Sequence, residues 1–147
     1  MVDSNREVEL RRAVEALYFG YRAFTSLPDQ ILAEYDLGRA HHRILYFVRR
    51  EPGVSVGALG TVLDVSKQAI NRPIRELESL GFVSVAPDSH DRRVRRLTAS
   101  KEGARLEARL TGAQLDLLES VFTGVDSDAE AGWRDVMTRL AGPPVVE

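Results

Sequence analysis

Two short helical patterns lie almost end to end in this sequence, and together they constrain its fold more than any other feature. The first opens on Ser55 and carries Ala58, Leu59, Val62 and Leu63; the second opens on Ser66 and carries Ile70, Ile74 and Leu77. Each serine suits a helix N-cap, where its oxygen accepts a first-turn backbone N–H, and the apolar residues recur at the spacing of one helix face. Gly81 stands where the second helix should stop. Only Asp64 and Val65 separate the two patterns, so they form a helix-turn-helix whose second member is the reading element. The turn carries no glycine, although such turns usually have one.

Beyond Gly81 the period changes. Phe82-Val83-Ser84-Val85 alternates like a strand, Val94 to Ala99 reads as another, and the polar run from Pro87 to Arg93 is a turn between them. A two-stranded hairpin directly behind a helix-turn-helix is a wing. Upstream, Leu10, Val14, Leu17, Tyr21 and Phe24 line one face of a helix from about Asn5 to Thr25. Ser26-Leu27-Pro28-Asp29 is expected to break it, with Pro28 opening a short following helix. Another helix spans about Arg39 to Arg50 and ends at Glu51-Pro52-Gly53. Downstream, Ser100 caps a long helix to about Phe122, and Ser127 with Glu130 makes a capping box for a last one bearing Trp133, Val136, Met137 and Leu140. Gly142-Pro143-Pro144 closes the structured chain.

The charge is unevenly placed. The net value is only −2, yet from Ser66 to Arg105 nine Lys and Arg stand against five Asp and Glu. From Leu106 onward the balance reverses, with three arginines against eight acids. A basic segment of this kind attracts phosphate if it folds as one surface. On the second helix, Gln68, Asn71, Arg72, Arg75 and Ser79 cluster opposite the apolar stripe, and Ser66 and Lys67 open its first turn. Amides, guanidiniums and hydroxyls are the groups that read base edges and phosphates in a major groove. Pro73 interrupts this helix and removes the bond to the Ala69 carbonyl, so a bend there is expected to set how Lys67 to Arg72 enter the groove. At the hairpin tip, Arg92 and Arg93 suit a narrow minor groove. Arg96 is expected to face outward beside them, whereas Arg95 falls on the inward side with Leu97 and Ala99, where an aliphatic residue is expected.

The order of these elements resembles the MarR family of dimeric transcription regulators over roughly Leu10 to Leu140. Its sharpest points are Val65-Ser66-Lys67-Gln68, Leu77-Glu78, Leu80-Gly81-Phe82-Val83, and Asp91-Arg92-Arg93 ahead of Gly103. The resemblance implies that Asp91 braces Arg93 and that the N- and C-terminal helices interlock two chains. The expected fold is therefore mainly α with a small β-hairpin wing: a winged helix-turn-helix plus N- and C-terminal dimerisation helices. It makes one domain over 1–147, with the DNA-binding lobe at about 37–99 and the dimerisation helices at about 5–26 and 100–141.

The resemblance further implies a homodimer on a pseudo-palindromic double-stranded DNA operator, acting as a repressor relieved by a small aromatic or phenolic ligand. Tyr18, Tyr21, Arg22, His41, His42 and Tyr46 are the residues that could line such a pocket. The competing reading is a winged-helix protein-interaction module that does not bind DNA. No cofactor or metal is expected: there is no cysteine, and His41, His42 and His90 are too scattered to chelate. An enzyme is not expected either, since there is no glycine-rich phosphate loop, and Asp88, His90 and Asp91 sit on a hairpin tip without a nucleophile. With no apolar run of membrane length and no secretory leader pattern, the expected location is the cytoplasm.

Overall fold

The computed structural model describes residues 3–143, so Pro144 of the closing Gly-Pro-Pro run and Glu147 of the acidic end lie outside the described residues. Helix α1 spans Ser4–Ala33 without a break, its first turn capped by Asp3, whose Oδ1 accepts the Asn5 N–H at 3.0 Å. The expected break at Ser26 to Asp29 does not occur. Thr25, Pro28, Ile31 and Leu32 are all buried on one side, and Thr25 Oγ1 donates to the Tyr21 carbonyl at 2.9 Å. Burial of that stripe outweighs the one bond that Pro28 removes.

Helix α2 (Arg39–Arg50) starts after Gly38, whose N–H donates to His41 Nδ1 at 2.9 Å. A two-residue strand β1 (Val54–Ser55) leads straight into α3 (Val56–Leu63), and Ser55 Oγ accepts the Ala58 N–H at 3.0 Å. Asp64 then adopts the left-handed conformation at φ 53° and ψ 49°. Aspartate tolerates that region better than most residues, which is why the turn works without glycine. The Val65 N–H closes the turn on the Gly60 carbonyl at 2.9 Å. Helix α4 (Lys67–Ser79) follows and runs unbroken through Pro73, whose half-buried ring lies beside Ala40, Arg43 and Ile44 of α2.

Strands β2 (Val83–Pro87) and β3 (Arg95–Ala99) form the hairpin, with Val85 opposite Leu97 and Pro87 opposite Arg95. Val54 pairs with Leu97 from the other side, making a three-stranded antiparallel sheet in the order β1-β3-β2. The sequence predicts only the hairpin, because two residues cannot display an alternation. Helix α5 (Lys101–Thr123) is capped by Ser100, whose Oγ accepts the Gly103 N–H at 3.0 Å. Helix α6 (Ser127–Ala141) is capped by Asp126, which accepts the Ala129 N–H at 2.8 Å, so the cap falls one residue before Ser127 and the expected Ser127–Glu130 box does not form.

The core gathers around α2 and α4 and takes in residues from α1 and α5 on either side. Ile44, Leu45 and Val48 of α2 meet Leu59 of α3, Ile70, Ile74 and Leu77 of α4, Leu97 of β3, and Leu106 and Leu110 of α5. Each such side chain contributes about 1.5–3 kcal/mol by leaving water. The inward stripe of α4 is thereby fixed, and its opposite face is turned to solvent. By contrast, α6 has no buried residue, and Val8, Leu10, Val14, Leu17, Tyr18 and Phe19 of α1 are exposed. No helix among the described residues is long and apolar enough to cross a membrane.

Candidate nucleic-acid interface

Four of the side chains expected to read DNA on α4, Lys67, Gln68, Arg72 and Arg75, are exposed, and Asn71 is half-buried at their edge. Ser66 has a prior duty. Its Oγ accepts the Ala69 N–H at 3.1 Å, which leaves its hydroxyl proton for an outside acceptor. Arg72 Nε lies 3.3 Å from Glu76 one turn on, a solvated pair worth well under about 1 kcal/mol that a phosphate can displace. An open concavity of about 480 Å³ runs along Gly57, Gly60, Thr61, Asp64 and Val65 to Ser66 and Lys67, at the N-terminus of α4. Free backbone N–H groups at such a terminus favour an anion.

The wing tip is organised by two aspartates. Asp88 Oδ2 accepts the N–H groups of His90 and Asp91, each at 3.0 Å. Asp91 Oδ1 accepts from the Arg93 backbone N–H at 3.1 Å and from its Nε at 3.2 Å, while the Arg93 side chain remains 92% exposed. Arg92 is exposed beside it.

Arg96 is exposed, as alternation implies, and it is also engaged: its Nε donates to Asp88 Oδ1 at 2.5 Å and its Nη1 to the Gly53 carbonyl at 2.9 Å. It ties the tip to the segment before β1. The Arg96 bond, followed by the two backbone N–H groups, holds the Asp88 carboxyl below the usual aspartate range. Asp88 is thus a wing-supporting residue missing from the sequence expectations; the aspartate in a polar turn was the available signal.

Arg95, unexplained by its sequence position, finds its partner across the lobe. Its Nη2 donates to Asn71 Oδ1 at 2.5 Å. The tip end of the hairpin is therefore joined to the edge of α4, and the two arginine-bearing elements lie side by side.

The six residues expected to line a ligand pocket serve separate local contacts. Tyr18 packs edge-on against Phe19, and Arg22 stacks over the same Phe19 ring. Tyr21 accepts from Arg43 at 3.0 Å and lies under Arg39. Tyr46 accepts from Arg50 at 2.9 Å. His41 caps α2, with its Nε2 buried 3.7 Å from Glu76 Oε2. His42 is buried and pairs with Thr111 Oγ1 at 3.2 Å.

Thr111 in turn donates to Glu107 Oε1 at 3.1 Å, and Arg49 donates to Glu107 Oε2 at 2.7 Å. Because Thr111 gives its one hydroxyl proton to Glu107, its oxygen accepts from His42 Nε2–H. Burial pushes the His42 pKa down, against the pull of Glu107. This polar string links α2 to α5 across a long stretch of sequence, which is why periodicity does not reveal it.

Similarity to known proteins follows the same outline. A family model described as MarR family matches residues 35–94. The HTH-type transcriptional regulator PetP of Rhodobacter capsulatus is 41% identical over 135 residues, which cover 92% of this chain and 81% of that protein. Among solved structures, that of MarR aligns at a TM-score of 0.64 with 27% identity, covering 90% of this chain and 94% of the other. Streptococcus pneumoniae FabT, crystallised in complex with DNA, aligns at 0.81 with 18% identity over the same shares, a likeness of fold.

Proposed function

The chain belongs to the MarR family of transcriptional regulators, and from that premise we propose that it acts as a homodimer binding a pseudo-palindromic double-stranded DNA site in a sequence-specific way. The observation that carries this is the Arg95–Asn71 bond, which sets the wing beside the solvent-facing edge of α4. In the proposed complex, α4 of each protomer enters a major groove and presents Gln68, Asn71, Arg72 and Arg75 to base edges and phosphates. Ser66 and Lys67 hold phosphate at the helix N-terminus. Arg92 and Arg93 reach from the wing into the adjoining minor groove, with Asp91 fixing Arg93. Arg96 stands exposed beside them as a further phosphate contact, held by Asp88 and the Gly53 carbonyl.

The assembly proposed has its DNA-binding lobe at about 37–99, with the helices at about 5–26 and 100–141 as dimerisation arms. Exposed apolar residues on α1 and α6 support that division, since monomers rarely leave large apolar faces in water. Two lobes related by a twofold axis would read half-sites about one helical turn apart. Control as a repressor relieved by a small aromatic or phenolic ligand rests on the family resemblance, and residence in the cytoplasm on the sequence pattern together with the role of a transcriptional regulator.

A gel-shift titration over a salt series tests the DNA reading. Arg93→Ala should weaken binding to every sequence and reduce the slope of log affinity against log salt by about one. An unchanged slope would remove the wing from the interface, and no salt dependence in the parent protein would favour the interaction-module reading.

A further inference from the structure

Arg95 is the one charged side chain that β3 places on the same side as buried Leu97, and it ends on Asn71 of α4. Asn71 and Arg95 are distant in sequence, and β3 pairs Arg95 with Pro87 at the tip end of the wing. This position, next to the wing and at the edge of the reading face, has a chemical consequence for what Asn71 can recognise.

A guanidinium carries donors only, so the orientation of the Asn71 amide is settled: Oδ1 faces Arg95 and Nδ2 faces away. A free asparagine reads adenine with both ends, Oδ1 accepting from N6 while Nδ2 donates to N7. Here a cation occupies the carbonyl, which makes it a poorer acceptor for a second donor and strengthens the Nδ2–H donors. Guanine offers two acceptors, O6 and N7, on its major-groove edge. We propose that Arg95 is a specificity-determining residue: by holding Oδ1 it makes Asn71 read chiefly as a donor through Nδ2, so the base pair facing Asn71 is selected as guanine over adenine. This rests on the DNA-binding reading above. Arg95 acts through Asn71 and is a positioning residue, with no base contact of its own.

Selection of bound sequences from random DNA tests it, using the parent protein, Arg95→Met, Asn71→Ala and the double variant, each with its thermal melting checked. The parent should enrich guanine at one position of each half-site. Arg95→Met should shift the guanine-to-adenine ratio at that position by about tenfold and leave other positions as they were. Asn71→Ala should flatten the same position, and adding Arg95→Met to it should change nothing further. Should Arg95→Met fail to fold, Asn71→Asp keeps the Arg95 partner while removing both amide donors, and must lose the guanine preference. An Arg95→Met profile that superimposes on the parent's overturns the proposal, as does an Arg95 effect that persists without Asn71. Uniform weakening with a shallower salt slope would make Arg95 a phosphate contact and overturn it too. A parent protein that enriches no sequence sinks the DNA-binding reading itself; an enriched palindrome with an unmoved Arg95→Met profile sinks this inference alone.

Discussion

Gly103 has no room for a side chain: a Cβ there would stand 1.9 Å from the Phe82 carbonyl oxygen, where the first turn of α5 crosses the start of β2. Backbone cannot move aside as a flexible side chain can, so Gly103→Ala should cost at least about 2 kcal/mol in a urea titration. A loss below about 0.5 kcal/mol would mean the two segments can separate freely. The residue was legible in the sequence as part of the wing-to-helix spacing, but its reason was not, since close approach is a property of two segments at once. His42 shows the same limit. Its burial against α5 favours the neutral ring, so the folded pKa lies below the ordinary histidine value while the unfolded chain keeps that value. Between the two, the unfolded state binds the extra proton, and stability falls as pH drops through about 6.5 toward the folded pKa. Denaturation midpoints measured from pH 7.5 to 5 should decline in the parent and decline less in His42→Gln. Because His41 and His90 are common to both proteins, coincident curves would clear His42 of the effect.

At the scale of elements, α3 and α4, with serine caps and regular apolar stripes, were legible from the sequence. What was not legible was settled by contacts distant in sequence. Pro28 reads as a break, yet α1 passes through it because Ile31 and Leu32 gain the lobe core by staying helical. Strand β1 exists only because β3 offers it a partner at Leu97 and Arg96. Arg96 is outward, as alternation reads it, but its bonds to Asp88 and Gly53 join segments that periodicity does not relate. Pro73 tests whether a local defect has a distant use. Its half-buried ring borders a small cavity shared with Ala40, Arg43 and Ile44 of α2, so Pro73→Ala regains a backbone bond while enlarging that cavity, and the expected net gain in stability is about 1 kcal/mol. If the proline sets how Lys67 to Arg72 approach the groove, that more stable variant should bind its site more weakly. Equal affinity with raised stability would reduce the ring to a packing role.

At the scale of the whole molecule, α5 is fastened to α2 by the Arg49–Glu107–Thr111–His42 string and to the end of α1 by the Arg109–Glu34 pair. The N-terminal half of α5 belongs to the hydrophobic core through Leu106 and Leu110, while Leu115, Leu117 and Val121 further on are exposed. Helix α6 extends this contrast: Trp133 packs on Phe122, but Val136 is 62% and Leu140 61% exposed. Such a helix has little to hold it in its own chain and much to bury against a second one. The double variant Val136→Glu, Leu140→Glu places two charges on that face without touching the lobe core. In sedimentation velocity the parent should therefore run at twice the 16.4 kDa chain mass, and the variant at the mass of one chain. Its melting transition should survive, because the buried residues all lie outside α6. Its affinity for a full palindromic site should fall by about 100-fold or more, since each lobe then binds its half-site without the effective concentration that a tethered partner supplies, while affinity for an isolated half-site should change little. A variant that remains a dimer would move the interface off α6; one that becomes a monomer yet keeps full-site affinity would separate DNA binding from dimerisation altogether.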